Sequence, residues 1–202
     1  MASNPPSLAD QARTEAFANG RYHADREAHL DLVHRWIIFA VIVLGASALV
    51  EQFPPWVKAA TAASTAALGA FDLLFMLVER ARAHAVARER YFEIAADLCL
   101  PNSSVEKAQQ AMLMLAGKEE PPYLAAHALA ENWAKEAVLG AHAPPPLYVS
   151  PMRKMFRHWA RQDGADFANA SPAVRGRPWW GGVIFLLIAI AAFGGIAWFA
   201  IL

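Results

Sequence analysis

The sequence predicts an all-α integral membrane protein. The expected architecture is a transmembrane helical hairpin with long cytoplasmic helix extensions and a small helical bundle, plus a C-terminal third transmembrane helix. Three observations carry this. Residues 179–202, "WWGGVIFLLIAIAAFGGIAWFAIL", hold no charge and exceed the ~20 apolar residues that a membrane helix needs. Two shorter apolar runs, 36–50 and 56–78, are separated only by "EQFPP". Charged residues make up 18% of the chain, against about 25% in soluble domains, so the composition leans toward a lipid environment.

Residues 1–34 are polar with both charge signs and read as a cytoplasmic N-terminal helical segment. Ser7 and Asp10 have capping-box spacing, which starts a helix at about Leu8. Gly20 weakens it, and a second helix from about Tyr22 is expected to run into the membrane. The hairpin occupies 35–78, with spans at about 35–50 and 56–78. In the first, Leu32 and Val33 extend the apolar run past His34 and Arg35, whose side chains can snorkel. The second opens at Pro55 and Trp56, since proline is tolerated in a first helical turn. Its first half is Ala- and Thr-rich, so it reaches spanning length only if Leu73–Val78 are included. That places Asp72 inside the bilayer region. Trp36, Trp56, Trp179 and Trp180 sit at span ends, where tryptophan suits the headgroup boundary.

Orientation follows from the cations. Of the 18 Lys and Arg residues only Lys58, just past the turn between the first two spans, lies within residues 36–78. The positive-inside rule then puts the N-terminus and residues 79–178 in the cytoplasm and the C-terminus outside.

Residues 79–162 form the expected cytoplasmic helical region. No breaker occurs before Pro101, so the second membrane helix should continue unbroken through "ERARAHAVARERYFEIAADLCL". Ala87, Tyr91, Ile94 and Leu98 make a short seam, either on this chain's own N-terminal helix or on a neighbouring subunit. Ser103 with Glu106 caps a further helix whose Val105, Ala108, Met112 and Leu115 share one face. "GKEEPP" ends it. Another helix spans Tyr123 to about Leu139 and stops at Gly140, followed by the stiff connector "AHAPPP". In 150–162, Met152, Met155, Phe156 and Trp159 form one face, and Arg153, Lys154, Arg157 and Arg161 fill much of the rest. Such a helix suits an anionic leaflet surface and equally suits packing on the bundle. Residues 163–178 link to the last span.

Asp72 lies seven residues before Glu79, ~10 Å inside the boundary at 1.5 Å per residue. Thr61, Thr65, Gly69, Asp72 and Met76 recur at helical spacing, a small and partly polar stripe of the kind that membrane helices use for contact. Arg35 is the residue expected to bend inward toward Asp72. Three readings stay open: Asp72 pairs within the hairpin, faces a subunit interface or wet pore, or is held protonated by apolar surroundings.

The chain has no Gly-rich phosphate loop, H-E-x-x-H, C-x-x-C or G-x-S-x-G, so no catalytic residue is assigned and no enzyme is expected. His23, His29 and His34 are spaced six and five apart and do not share a helix face, so no metal or cofactor is expected. A net charge of zero gives no pull toward nucleic acid. The single cysteine, Cys99, excludes an intrachain disulfide.

Three stretches together resemble a known family. "RYHADREAHLDLVHRW" leads into the first span, "LGAFDLLF" leads to a helix ending "RYFEIAADL", and "EEPPYLAAHALAENWA" follows. This arrangement, over roughly residues 20–160, resembles the SLATT-type two-transmembrane proteins of bacteria and their phages. By that resemblance Asp72 matches the acidic position after a Gly-Ala pair, Pro121 and Pro122 match a Glu-Pro-Pro turn, and Asn132 matches a polar position in the next helix. Met76 stands where related sequences often carry a second acid, and the third span lies outside the plain two-span pattern. The resemblance implies a non-enzymatic, oligomer-forming effector in a bacterial inner membrane, serving a defence or phage-conflict system by pore formation or membrane disruption. Its partners would be the lipid bilayer, further copies of itself and a cytoplasmic sensor or partner protein. The alternative is a structural or regulatory membrane adaptor, host- or phage-encoded, whose cytoplasmic helices bind a partner protein.

Overall fold

The computed structural model of the chain describes residues 6–159. The expected third span with Trp179 and Trp180, the linker before it, and Arg161 lie outside the described residues. Within them the protein is helical with no strand. Six α-helices follow in order: α1 Leu8–Ala48, α2 Pro55–Phe75, α3 Leu77–Asp97, α4 Val105–Ala116, α5 Leu124–Leu139 and α6 Pro151–Met155. A 3-10 turn at Gly140–His142 leaves α5.

α1 is the spine. Its 41 residues give it a length of ~60 Å. The Ser7 hydroxyl caps it by accepting from Asp10 N at 3.1 Å and donating to the Asp10 carboxylate at 2.7 Å. The expected weakening at Gly20 does not occur, and α1 runs unbroken from cap to hairpin. Gly20 is a contact position. A Cβ there would stand 3.0 Å from Phe92 Cε1, so the absent side chain lets the α3 ring lie against α1. Packing on α3 outweighs the ~1 kcal/mol that an interior helical glycine costs.

The N-terminal half of α1 packs on α3 and α5. Ala12 and Ala16 meet Tyr91 and Ala95 of α3 and Leu98 at its C-cap, together with Ala108 and Met112 of α4. The short seam on α3 therefore packs within this chain. Tyr22 packs on Ala126 and Ala130, while Ala125, Ala128 and Val149 form a further small core. Alanine on the buried faces lets the helix axes approach, and the bulk comes from a few tyrosines and Met112. α4 buries the predicted face but starts one residue late. Its N-cap is Ser104, which accepts from Lys107 N at 3.3 Å.

The C-terminal half of α1 and all of α2 form the hairpin, closed at its base by Leu30, Ile37, Leu77 and Ala81. Two helical stretches, Leu8–Ala48 and Pro55–Asp97, are long and apolar enough to cross a membrane. The outward residues Trp36, Ile38, Phe39, Ile42 and Val43 of α1 and Leu73, Leu74 and Phe75 of α2 are exposed. Contiguous apolar exposure on this scale is unusual for a soluble surface.

The second long helix is not continuous. Met76 adopts the left-handed conformation, φ 49° and ψ 45°, and separates α2 from α3. It donates its N–H to Asp72 O at 3.0 Å and accepts from Arg80 N at 3.0 Å, so both helix ends stay hydrogen-bonded. A non-glycine residue in this region costs roughly 1–2 kcal/mol. Sequence reading missed the break because neither glycine nor proline marks it. α6 is also shorter than expected, a five-residue helix capped by Ser150.

Candidate functional site

α1 carries histidines at 23, 29 and 34, and each meets a different element. Since helical spacing puts them on different faces, each finds its own long-range partner. The result is three polar centres spaced along one helix.

The first centre is at the end of the hairpin that joins the helical bundle. His34 Nδ1 lies 3.0 Å from Asp72 Oδ1, and both side chains are about three-quarters buried, with 22% and 25% exposure. Arg35, the expected partner of Asp72, points elsewhere. It is exposed and donates to Asp31 Oδ2 one turn back on its own helix at 2.6 Å. The reason is angular: adjacent residues on a helix are ~100° apart, so only one of 34 and 35 can face α2. Thr61 is buried, and Thr65, Gly69 and Asp72 are half-buried. The threonine hydroxyls donate to carbonyls of α2 itself, Thr61 to Lys58 O at 3.0 Å and Thr65 to Thr61 O at 2.9 Å. A Cβ on Gly69 would meet nothing within 4 Å. Asp72 is thus the member of the stripe that makes a side-chain bond to α1. Met76 is exposed at the break. Trp36 and Trp56 are exposed near opposite ends of the hairpin.

The second centre is buried where α1, α3 and the α4–α5 connection meet. His23 is 3% exposed. Its Nδ1 lies 2.8 Å from His84 Nδ1, and its Nε2 lies 3.1 Å from Glu119 Oε2. An ionised carboxylate only accepts, so His23 Nε2 carries hydrogen. With both rings neutral, His84 Nδ1–H then donates to His23 Nδ1. Burial and the neighbouring His23 lower the His84 pKa to about 4. Burial by itself would raise Glu119, but hydrogen bonds from His23 and Tyr91 outweigh it and leave the carboxyl below its usual range. The Tyr91 hydroxyl, buried beside Glu119, is pushed well above the ordinary phenol range. Tyr22 accepts from Tyr123 N at 3.1 Å, and His127 Nε2 donates to Asn19 Oδ1 at 3.1 Å. Arg88–Glu27 at 2.6 Å and Arg80–Glu120 at 3.5 Å brace the rim.

The Glu-Pro-Pro segment acquires a physical role here. Pro121 and Pro122 are exposed and non-helical. They separate α4 from α5 so that Glu119 turns into the bundle while Tyr123 starts α5. Asn132 has a bidentate role. It donates Nδ2–H to Leu147 O at 2.8 Å and accepts Leu147 N–H at 2.7 Å, clamping the proline-rich strap to α5. Beside that strap lies an open cleft of about 760 Å³ lined by Thr14, Glu15, His127, Glu131, Lys135 and Pro144, among others.

The third centre joins α1 to the turn that follows α6. His29 and His158 stack at 4.4 Å, and Arg26 donates to His158 O at 2.9 Å. Met152, Lys154, Met155 and Trp159 are exposed, while Arg153, Phe156 and Arg157 are half-buried. The basic segment is therefore anchored to the bundle by one face and leaves methionine and tryptophan outward.

Sequence reading dismissed the histidines by their spacing and so missed His84, Glu119 and Arg26. Their partners come from other elements, which a within-helix test cannot register. Among the described residues no group of His, Cys, Asp and Glu is arranged to hold a metal ion. Compared with known proteins, the chain matches no family model, no curated protein and no solved structure.

Proposed function

We propose that the protein is a non-enzymatic membrane effector that assembles into oligomers and permeabilises or disrupts a bacterial inner membrane, in a defence or phage-conflict setting. The observation that carries this reading is the hairpin itself: an outward surface of exposed aromatic and aliphatic residues enclosing an acid held by His34. Intramembrane acids are costly and usually sit at proton or ion pathways or helix contacts. In the single chain Asp72 is in contact with His34 of its own hairpin. Assembly would exchange that pairing for contact with a shared, wetter interior. The cytoplasmic bundle, braced by the His23–His84–Glu119 centre, would pass on an activating signal from a partner.

The test is expression in a bacterial host with a membrane-potential dye. Depolarisation by the wild type that Asp72→Asn alters at equal protein level supports the effector reading. Absence of depolarisation with neighbouring gene products present counts against it.

A second reading is a membrane adaptor whose bundle binds a cytoplasmic protein. It is favoured by the open cleft between α1 and α5 and by the exposure of Leu113 and Met114 on α4. An adaptor would leave the potential unchanged and retain a partner through detergent extraction.

A further inference from the structure

The α1–α6 junction has an unmatched set of hydrogen-bond donors. Arg157 Nε donates to His158 Nε2 at 2.9 Å, so a neutral His158 carries its hydrogen on Nδ1. That Nδ1 is buried with no partner, and so is Nε of Arg26. Both residues are more than nine-tenths buried, at 9% and 5% exposure. Arg26 is held by the His158 carbonyl on one side and lies 4.0 Å over the Tyr123 ring on the other. No described carboxylate pairs with it, whereas most other arginines of the bundle find an acid. An isolated buried cation is expensive. The charges that bear on His29 come from Arg26 and Arg157, and those on His158 from His29, Arg157 and Arg26, all cationic or imidazole. Among the described residues these two donors lack acceptors and both guanidiniums lack a counter-charge, which suits a negative acceptor supplied from outside them.

We infer that the Arg26–His29–Arg157–His158 cluster is a phosphate-binding site, filled by the headgroup phosphate of an anionic lipid. Guanidinium forks match phosphate oxygens in pairs. The position favours a lipid source over free phosphate. Leu30 packs with Leu77 and Ala81, so His29 stands level with Glu79, the expected cytoplasmic end of the second span, and Arg26 lies ~5 Å further out along α1, within the ~5–7 Å headgroup layer. Trp159 packs edge-on against His29 at 5.3 Å and is exposed beside Met152 and Met155, as a side chain seated in the interface would be. The inference rests on the hairpin spanning a membrane. Resistance of the chain to carbonate extraction tests that premise separately.

The experiment uses the full chain purified in dodecyl maltoside. Thermal unfolding and lipid retention in native mass spectrometry are followed with phosphatidic acid, phosphatidylglycerol, phosphatidylcholine or inorganic phosphate added. Ligands that bind only the folded state raise its midpoint. The expected result is retention and stabilisation by the anionic lipids over phosphatidylcholine. Arg157→Gln and Arg26→Gln should weaken this by at least about ten-fold, the value of one charge-assisted bond. Lys58→Gln, at the far end of the hairpin, should leave it unchanged. Stabilisation by inorganic phosphate without lipid preference overturns the lipid source and leaves a free-anion site. Equal response to every additive, or an unaltered response in Arg157→Gln, overturns the site itself. Arg157 is half-buried, so its variant keeps the test valid should Arg26→Gln fail to fold.

Discussion

His34 and Asp72 meet across the hairpin at 3.0 Å, a contact that ties the entry of the first apolar run to the end of the second. The pair is 38 residues apart in the chain, so it closes the loop formed by the hairpin. Partial exposure limits its strength. A double-mutant cycle of His34→Gln and Asp72→Asn, followed by unfolding in lipid nanodiscs, should return a coupling of about 0.5–1.5 kcal/mol. Strictly additive losses would mean that the contact has no energetic weight. Arg35→Gln, by contrast, should be nearly silent, since its bond to Asp31 is an exposed pair within one helix.

Met76 holds a conformation that glycine adopts freely. Met76→Gly should therefore stabilise the folded chain by about 1 kcal/mol, and Met76→Val should destabilise it by at least that much. Thermal melts in the same detergent check both. A destabilised glycine variant would show that the Met76 side chain contributes more than its backbone strain removes.

Gly20 gives the opposite expectation. Adding a branched side chain at 3.0 Å from the Phe92 ring should cost about 1–3 kcal/mol through overpacking. Gly20→Val should lower the melting temperature, and Phe92→Leu in the same chain should recover part of the loss. Failure of the second change to help would place the strain elsewhere.

Acid should loosen the bundle. His84 and His29 are lowered to about 4 and His158 to about 3, chiefly by burial. The unfolded chain, with histidines near 6.5, therefore binds more protons between about pH 6.5 and 3. Stability is fully present above pH 6.5 and falls as pH drops through that window, by up to ~1.4 kcal/mol per pH unit for each histidine. Glu119, lowered against its usual value, adds to the loss below about pH 4.5. Midpoints measured from pH 8 to 4 should decline, and His84→Gln should flatten the slope. A flat profile for the wild type would contradict the buried neutral rings.

Asn132→Ala should release the proline-rich strap. The substitution leaves Leu147 N–H and O without their partner, a loss of about 1–3 kcal/mol. Limited proteolysis between residues 140 and 150 should accelerate several-fold while the melting of α1 and α3 changes less. Equal protection in both proteins would argue that the strap is held by Val149 alone.

Much of the described architecture follows from the sequence alone. Apolar runs of spanning length, the prolines between them, the Ser7 cap, the face of α4 and the stop at Gly140 are local properties, readable from composition and helical period. The tertiary structure decided what is non-local. It chose His34 over Arg35 for Asp72, turned Gly20 from a weak point into a packing contact, broke the second long helix at a methionine, and gathered His23, His84 and Glu119 from three parts of the chain. The physical reason is the same in each case. Helix formation is set by neighbours within one turn or so, whereas partner choice depends on which faces two helices present once packed, and burial then makes an unpaired polar group too costly to leave.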